Sequence, residues 1–185
     1  MPKALDENDP NWLWKRNVVE KYKALTTEEI RSDLVINALS CAVLVQNIQG
    51  DFNLGAIMRS ANAFGIHKFF YYGKKRFDAR SAVGVKHYMD VNFFSTLDEV
   101  KSLKEHYHFV GLENNIERKS HNMMKYNWKP NTLFVIGEES IGLTNDMMDI
   151  CDELVEIKLK GSVRSLNAGC AASLAFYDYS FKINI

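Results

Sequence analysis

From Ser40 onward the chain alternates between two kinds of apolar pattern. Short apolar runs at Cys41–Gln46, Lys68–Tyr72, Tyr107–Leu112, Thr132–Ile136 and Leu154–Leu159 predict strands, with a shorter one at Asp90–Phe94. Helical periods lie between them. Asn53–Phe64 is closed by Gly65, and Thr96 caps a helix to about His106. Thr144 caps a short helix to Ile150, and Ser165–Phe181 forms the last helix. Strands that read as continuous apolar runs belong to parallel sheets buried on both faces. Strand and helix taken in turn predict an α/β fold, a mostly parallel sheet with helices on both faces. Residues 113–130 follow neither period and are expected to form a mobile loop. Before Ser40 the pattern is helical: Asp9-Pro10 is a helix start, Trp12, Trp14, Val18, Val19 and Tyr22 form a stripe, and Thr26 and Glu29 have capping-box spacing. This predicts an N-terminal helical extension, 1–39, packed on a main domain, 40–185.

Composition narrows the class. The 185 residues suit one domain with a full core. No apolar run is long enough to span a bilayer, and the acidic, polar Met1–Pro10 does not read as a signal peptide. Cys41, Cys151 and Cys170 are far apart and odd in number, without a CxxC, as expected of reduced thiols in a cytoplasmic protein. Net charge is zero, but its distribution is uneven. Arg59, Lys68, Lys74, Lys75, Arg76, Arg80 and Lys86 face only Asp78 between residues 59 and 89. Residues 130–157 carry seven acids and no base. Such a basic third favours an anionic partner, while charges balanced in three dimensions remain the alternative.

Several chemistries fall away. No GxGxxG follows the first strand and no GxxxxGK[ST] occurs, which disfavours dinucleotide dehydrogenases and P-loop NTPases. His106-x-His108 lacks an evident third ligand, so no metal is expected. His67 and His87 read as surface or capping residues, although His87 lies in the basic stretch. Three polar loop segments remain, each at the C-terminal end of a strand, where open α/β sheets place ligands. The richest is Gly161-Ser162-Val163-Arg164-Ser165-Leu166-Asn167-Ala168-Gly169, which sets a hydroxyl and an amide beside the unpaired N–H groups of a helix start. Asn53-Leu54-Gly55-Ala56-Ile57-Met58-Arg59 offers a glycine for close approach and a guanidinium fork suited either to phosphate or to a carboxylate. In Gly137-Glu138-Glu139-Ser140-Ile141-Gly142-Leu143, glycines bracket two acids at a tight turn. The small residues after Asn167 suit an interface as well as a core.

Taken in order, these segments resemble the SPOUT class of RNA methyltransferases, and within it the SpoU/TrmH family of ribose 2′-O-methyltransferases. Asn47-Ile48 with Asn53–Gly65 resembles the first motif, and Ser81–His87 the segment after it. Phe134–Leu143 resembles the second motif, and Ile157–Asn167 the third. Glu138 stands where asparagine is frequent, Lys158 replaces a usual proline, and Ala168-Gly169-Cys170 replaces a typical Val-Ser-Val. The resemblance implies a C-terminal deep trefoil knot, an exception to the rule against knotted chains. It implies S-adenosylmethionine as cofactor, held by Gly137, Glu138, Ile157, Leu159, Ser165, Leu166 and Asn167. It implies catalysis by Arg59 with Asn53, Glu139, Ser165 and Asn167, and a homodimer paired through the last helix. RNA, either tRNA or rRNA, would lie on Arg59, Lys74, Lys75, Arg76, Arg80, Lys86 and His87. Alternatives are a knotted RNA-binding protein without catalysis, a SPOUT enzyme acting on a base nitrogen, and an unrelated nucleotide-binding α/β domain.

Overall fold

A computed structural model of the chain describes residues 17–47, 53–114 and 117–183. In chain order its regular elements begin with α1 (Thr27–Ile36), β1 (Ala42–Asn47), α2 (Asn53–Ala63), β2 (Lys68–Gly73), β3 (Asp90–Phe94) and α3 (Leu97–Lys101). They continue with β4 (His108–Leu112), β5 (His121–Asn122), β6 (Thr132–Ile136), α4 (Asn145–Ile150), β7 (Glu153–Glu156) and α5 (Ala168–Ile183). The strands form a seven-stranded sheet ordered β3-β2-β1-β6-β4-β7-β5. Every pairing in it is parallel. Every residue of β1 and β6 is buried, which is why both read as unbroken apolar runs.

Strand alternation sorts the core into two layers. Val43, Val45, Phe134 and Ile136 point to one face, where α2 brings Leu54, Ile57, Met58 and Ala61 and α5 brings Ala172, Ala175, Phe176 and Tyr179. Ala42, Leu44, Leu133 and Val135 point to the other, against Val100 and Leu103 after β3 and Met147 of α4. Phe69, Phe109, Phe134 and Phe176 are fully buried, each contributing about 1.5–3 kcal/mol by area. Around Phe134 the rings of Trp128, Phe176 and Tyr179 lie with centroids 5.0, 5.1 and 5.4 Å away, in the tilted or edge-on arrangement that aromatic pairs prefer. The α2–α5 contact is close because its residues are small. A Cβ on Gly169 would lie 3.6 Å from that of Ala56, and Ser173 Oγ meets Ser60 Oγ at 2.8 Å.

Four boundaries differ from the sequence expectations. The last helix begins at Ala168, not Ser165, because the Asn167 side chain accepts from the N–H groups of Gly169 (3.0 Å) and Cys170 (3.2 Å) and caps it. β7 stops at Glu156, not Leu159. There the Asn114 amide takes over the backbone of Ile157, accepting from its N–H at 3.0 Å and donating to its carbonyl at 2.8 Å. The segment expected to be a loop contains β5, a two-residue strand against β7. The helix after Thr96 ends at Lys101 and continues as a 3-10 turn to Glu105. Of the N-terminal helical pattern, the Thr26–Glu29 capping box is formed and starts α1. Glu20–Tyr22 is a 3-10 turn, and the Asp9-Pro10 start with Trp12 and Trp14 lies outside the described residues.

Candidate functional site

Because all strands run the same way, the C-terminal ends of β1, β4, β6 and β7 lie on one edge of the sheet. β6 pairs with both β1 and β4, so the loops carrying the three polar segments come together there. A cavity of about 310 Å³ opens between the segments after β4, β6 and β7. It lies outside the carboxyl ends of the strands, the usual ligand position in an open α/β sheet.

Three side chains distant in sequence meet at this edge. Asn53, the first residue of α2, donates from Nδ2 to Glu139 Oε2 at 2.6 Å. Asn167 Nδ2 donates to Glu139 Oε1 and to Asn53 Oδ1, both at 2.9 Å. One residue from each motif thus enters a single hydrogen-bonded group. The amides of Asn53 and Asn167 hold the Glu139 carboxyl below the usual carboxylate range. Asn167 does double duty, since its Oδ1 caps α5 while its Nδ2 joins this group.

The cavity walls come from the second and third motifs. Gly137, Glu138, Ile157, Ser165 and Leu166 line it, as expected. Leu159 and Asn167 do not; Leu159 is half-buried beyond the end of β7, and Asn167 stands beside the cavity in the polar group. Glu138 is buried, and its carbonyl accepts from the N–H of Gly142 at 2.9 Å to close the tight turn. Gly142 has φ +67°, the left-handed region where a side chain is strained. Glu113, Asn114 and Arg164 also line the cavity, and sequence reasoning assigned none of the three to the site. The first two lie in a stretch without period, and only their place just after a strand marked them. Glu113, Glu138, Glu139 and Arg164 make the lining rich in carboxylate with one guanidinium.

Arg59 is exposed on α2, and its guanidinium forms no ion pair or hydrogen bond with a described residue. Of its two sequence readings, the carboxylate partner is absent among the described residues. Gly55, one turn before it, lets α2 meet the turn at Ala79–Ala82, since a Cβ there would lie 2.4 Å from Ser81 Oγ. This brings the basic stretch beside α2. Lys74, Lys75 and Arg76 are exposed on the loop after β2, and Lys86 and His87 are exposed on a further 3-10 turn. Arg80 is exposed too and also pairs with Asp78, its Nε lying 2.9 and 2.8 Å from the two carboxylate oxygens. The acidic third is largely balanced in space, with Asp149 on Arg118, Asp152 on Lys104 and Glu156 on Lys158. His108, weighed as a metal ligand, instead lies 3.3 Å from Asp152 and 2.7 Å from Glu153. Among the described residues no cluster has the makings of a metal site.

Comparison with known proteins agrees with this geometry. The pattern of the SpoU rRNA Methylase family matches residues 40–177. A Staphylococcus haemolyticus protein assigned to the TrmH family of tRNA/rRNA methyltransferases is 29% identical over 158 residues, covering 80% of this chain and 61% of its own. The 23S rRNA (guanosine-2′-O-)-methyltransferase RlmB of Acinetobacter baylyi is 25% identical over 169 residues, 86% of this chain and 67% of its own. The chain therefore spans about three fifths to two thirds of the length of these relatives. Among solved structures, the SpoU methyltransferase AviRb of Streptomyces viridochromogenes in complex with AdoMet superposes with a TM-score of 0.69 at 26% identity, covering 80% of this chain and 58% of its own. The A. aeolicus TrmH/SpoU tRNA modifying enzyme shares the fold with a TM-score of 0.73 at 20% identity, covering 85% and 82%. With three quarters of its length matched by one family pattern, the second and third motifs lining one cavity and Asn53 of the first bonded to Glu139 at its edge, the chain belongs to the SpoU rRNA methylase family.

Proposed function

We propose that this chain is an S-adenosylmethionine-dependent RNA methyltransferase that methylates a ribose 2′-hydroxyl of tRNA or rRNA. The meeting of Asn53, Glu139 and Asn167 at the cavity edge carries the reading. The donor set fits the cofactor: the Glu138 and Glu139 carboxylates suit its sulfonium and amino group, and Arg164 suits its carboxylate. When bound, the cofactor supplies an already activated methyl group, so the protein needs no covalent nucleophile. Gly137, Glu138, Ile157, Ser165 and Leu166 hold it from the cavity wall. Arg59 grips the phosphate beside the target ribose and polarises the 2′-hydroxyl. A guanidinium offers only donors and no acceptor, so the proton passes to that phosphate or to water. Asn53, Glu139, Ser165 and Asn167 align the ribose oxygen with the methyl, the step that positioning accelerates most. The family's trefoil knot belongs to this reading, as do the partition into an N-terminal helical extension (1–39) and a SPOUT domain (40–185) and a cytoplasmic location.

Calorimetry with S-adenosylmethionine and its demethylated product tests the cofactor. Saturable heat and a raised melting temperature are expected, and neither effect at saturating ligand would overturn it. Nuclease digestion of methylated RNA followed by mass spectrometry then separates a ribose from a base product.

RNA binding is assigned to Arg59, Lys74, Lys75, Arg76, Arg80, Lys86 and His87. Reversing Lys74, Lys75 and Arg76 to glutamate should weaken binding and flatten its salt dependence, by roughly 0.7–0.9 in slope per lost phosphate contact. An unchanged slope moves the RNA face elsewhere. Homodimerisation is assigned to α5, where Leu174, Tyr177 and Phe181 are 45%, 60% and 62% exposed along one stripe. Light scattering at micromolar concentration should give twice the 21.2 kDa chain mass, and Tyr177→Glu with Phe181→Glu should return it to one. A wild-type monomer would remove the pairing.

A further inference from the structure

Two adjacent residues after β4 reach both walls of the cavity. Glu113 accepts from the N–H of Leu143 at 2.7 Å through Oε2, and its Oε1 accepts from the N–H of Asn114 at 3.0 Å. Gly142 makes room for this contact, because a Cβ there would lie 2.2 Å from Glu113 Oε2. The Asn114 side chain engages the opposite wall, accepting from the N–H of Ile157 at 3.0 Å and donating to its carbonyl at 2.8 Å. Neither wall has regular structure at these points. The Gly137–Leu143 turn follows β6, and Ile157 lies just past the end of β7. Backbone without a ladder partner is steadied by such side-chain bonds.

We propose that Glu113 and Asn114 form a clamp that sets the width of the cofactor cleft, Glu113 fixing the Leu143 wall and Asn114 the Ile157 wall. The proposal rests on the reading of this cavity as the S-adenosylmethionine site. Both are positioning residues, acting through the backbone they hold. Glu113 acts as an acceptor and not through its charge, so a neutral residue that keeps the acceptor for Leu143 largely replaces it.

Calorimetry with S-adenosylmethionine and with S-adenosylhomocysteine, beside amide hydrogen exchange of the unliganded protein, tests this. Glu113→Ala and Asn114→Ala should each weaken both ligands equally, by about tenfold, from the usual worth of the bonds removed. Glu113→Gln, which keeps the acceptor for Leu143 and loses only the one for the Asn114 N–H, should recover most of the wild-type affinity. Exchange should quicken at Leu143 in Glu113→Ala and at Ile157 in Asn114→Ala. Unchanged exchange in both overturns the clamp. A loss confined to the sulfonium ligand, or Glu113→Gln behaving like Glu113→Ala, overturns the acceptor role and assigns Glu113 a direct charge contact. If the wild-type protein bound neither ligand while exchange still quickened, the clamp would stand and the cofactor reading would fall. Should Asn114→Ala not fold, Asn114→Asp keeps the acceptor for Ile157 and removes the donor. It should then weaken both ligands, and wild-type affinity would count against the clamp.

Discussion

Replacing Arg59 by alanine is expected to lower single-turnover methyl transfer by a factor of about 10² to 10³, the cost of losing a transition-state contact worth about 3–4 kcal/mol. Melting temperature and cofactor affinity should stay near wild type. This split follows from where the residue sits. Arg59 is exposed on α2 and makes no ion pair with a described residue, so its removal breaks no contact that holds the fold. It is also absent from the cavity lining, so its removal should spare the bound cofactor. Arg59→Lys should recover little, because an ammonium does not reproduce the planar fork that grips phosphate through two parallel bonds. Melting, calorimetry and single-turnover transfer on one preparation separate the roles. A joint fall in all three would make Arg59 structural, and wild-type turnover in a well-folded Arg59→Ala protein would sink its catalytic role.

Gly137→Ala should abolish most cofactor binding and lower the melting temperature. An alanine Cβ at this position would lie 2.2 Å from Gly142 C, 2.4 Å from Leu143 N and 2.5 Å from Gly142 O. All three are backbone atoms, so no side chain can rotate away. Gly142 is itself at φ +67°, and Leu143 N is held by Glu113. Relief therefore requires the whole turn to move away from the sheet, carrying Glu138 and Glu139 with it. Overpacking of this kind costs about 1–3 kcal/mol, occasionally more, and each kcal/mol lowers the melting temperature of a domain this size by about 2–4 °C. Displacing Glu139 also breaks its bonds to Asn53 and Asn167, so activity should fall further than stability. Gly161→Ala is the control. A Cβ there meets nothing within 4 Å, and scanning calorimetry should find it unchanged. Wild-type melting and cofactor affinity in Gly137→Ala would show that the turn adapts, contrary to the geometry.

The α/β character of the chain and most of its elements are legible along the sequence because burial imprints a period. β1 and β6 are buried on both faces and read as continuous apolar runs. Thr26, Thr96 and Thr144 mark helix starts through bonds only three residues long. The polar residues of the three motifs stand out because polar side chains at strand ends have no core to fill. Their joining is another matter. The bonds from Asn53 to Glu139 and from Asn167 to Asn53 span 86 and 114 residues, and no local period records a contact of that range. The same holds for the bond that ends β7, 43 residues from Asn114 to Ile157, and for the late start of α5, since Asn167 serves as cap and site residue together. Charge was the least legible. Arg80 counts as basic in a linear tally yet is paired with Asp78, and the acidic third finds Lys104, Arg118 and Lys158 from other parts of the chain. Periodicity is a one-dimensional trace of which face is dry, so it reports elements and layers. Hydrogen bonds and ion pairs at the ends of those elements depend on which loops the sheet order brings together, and only the folded chain decides that.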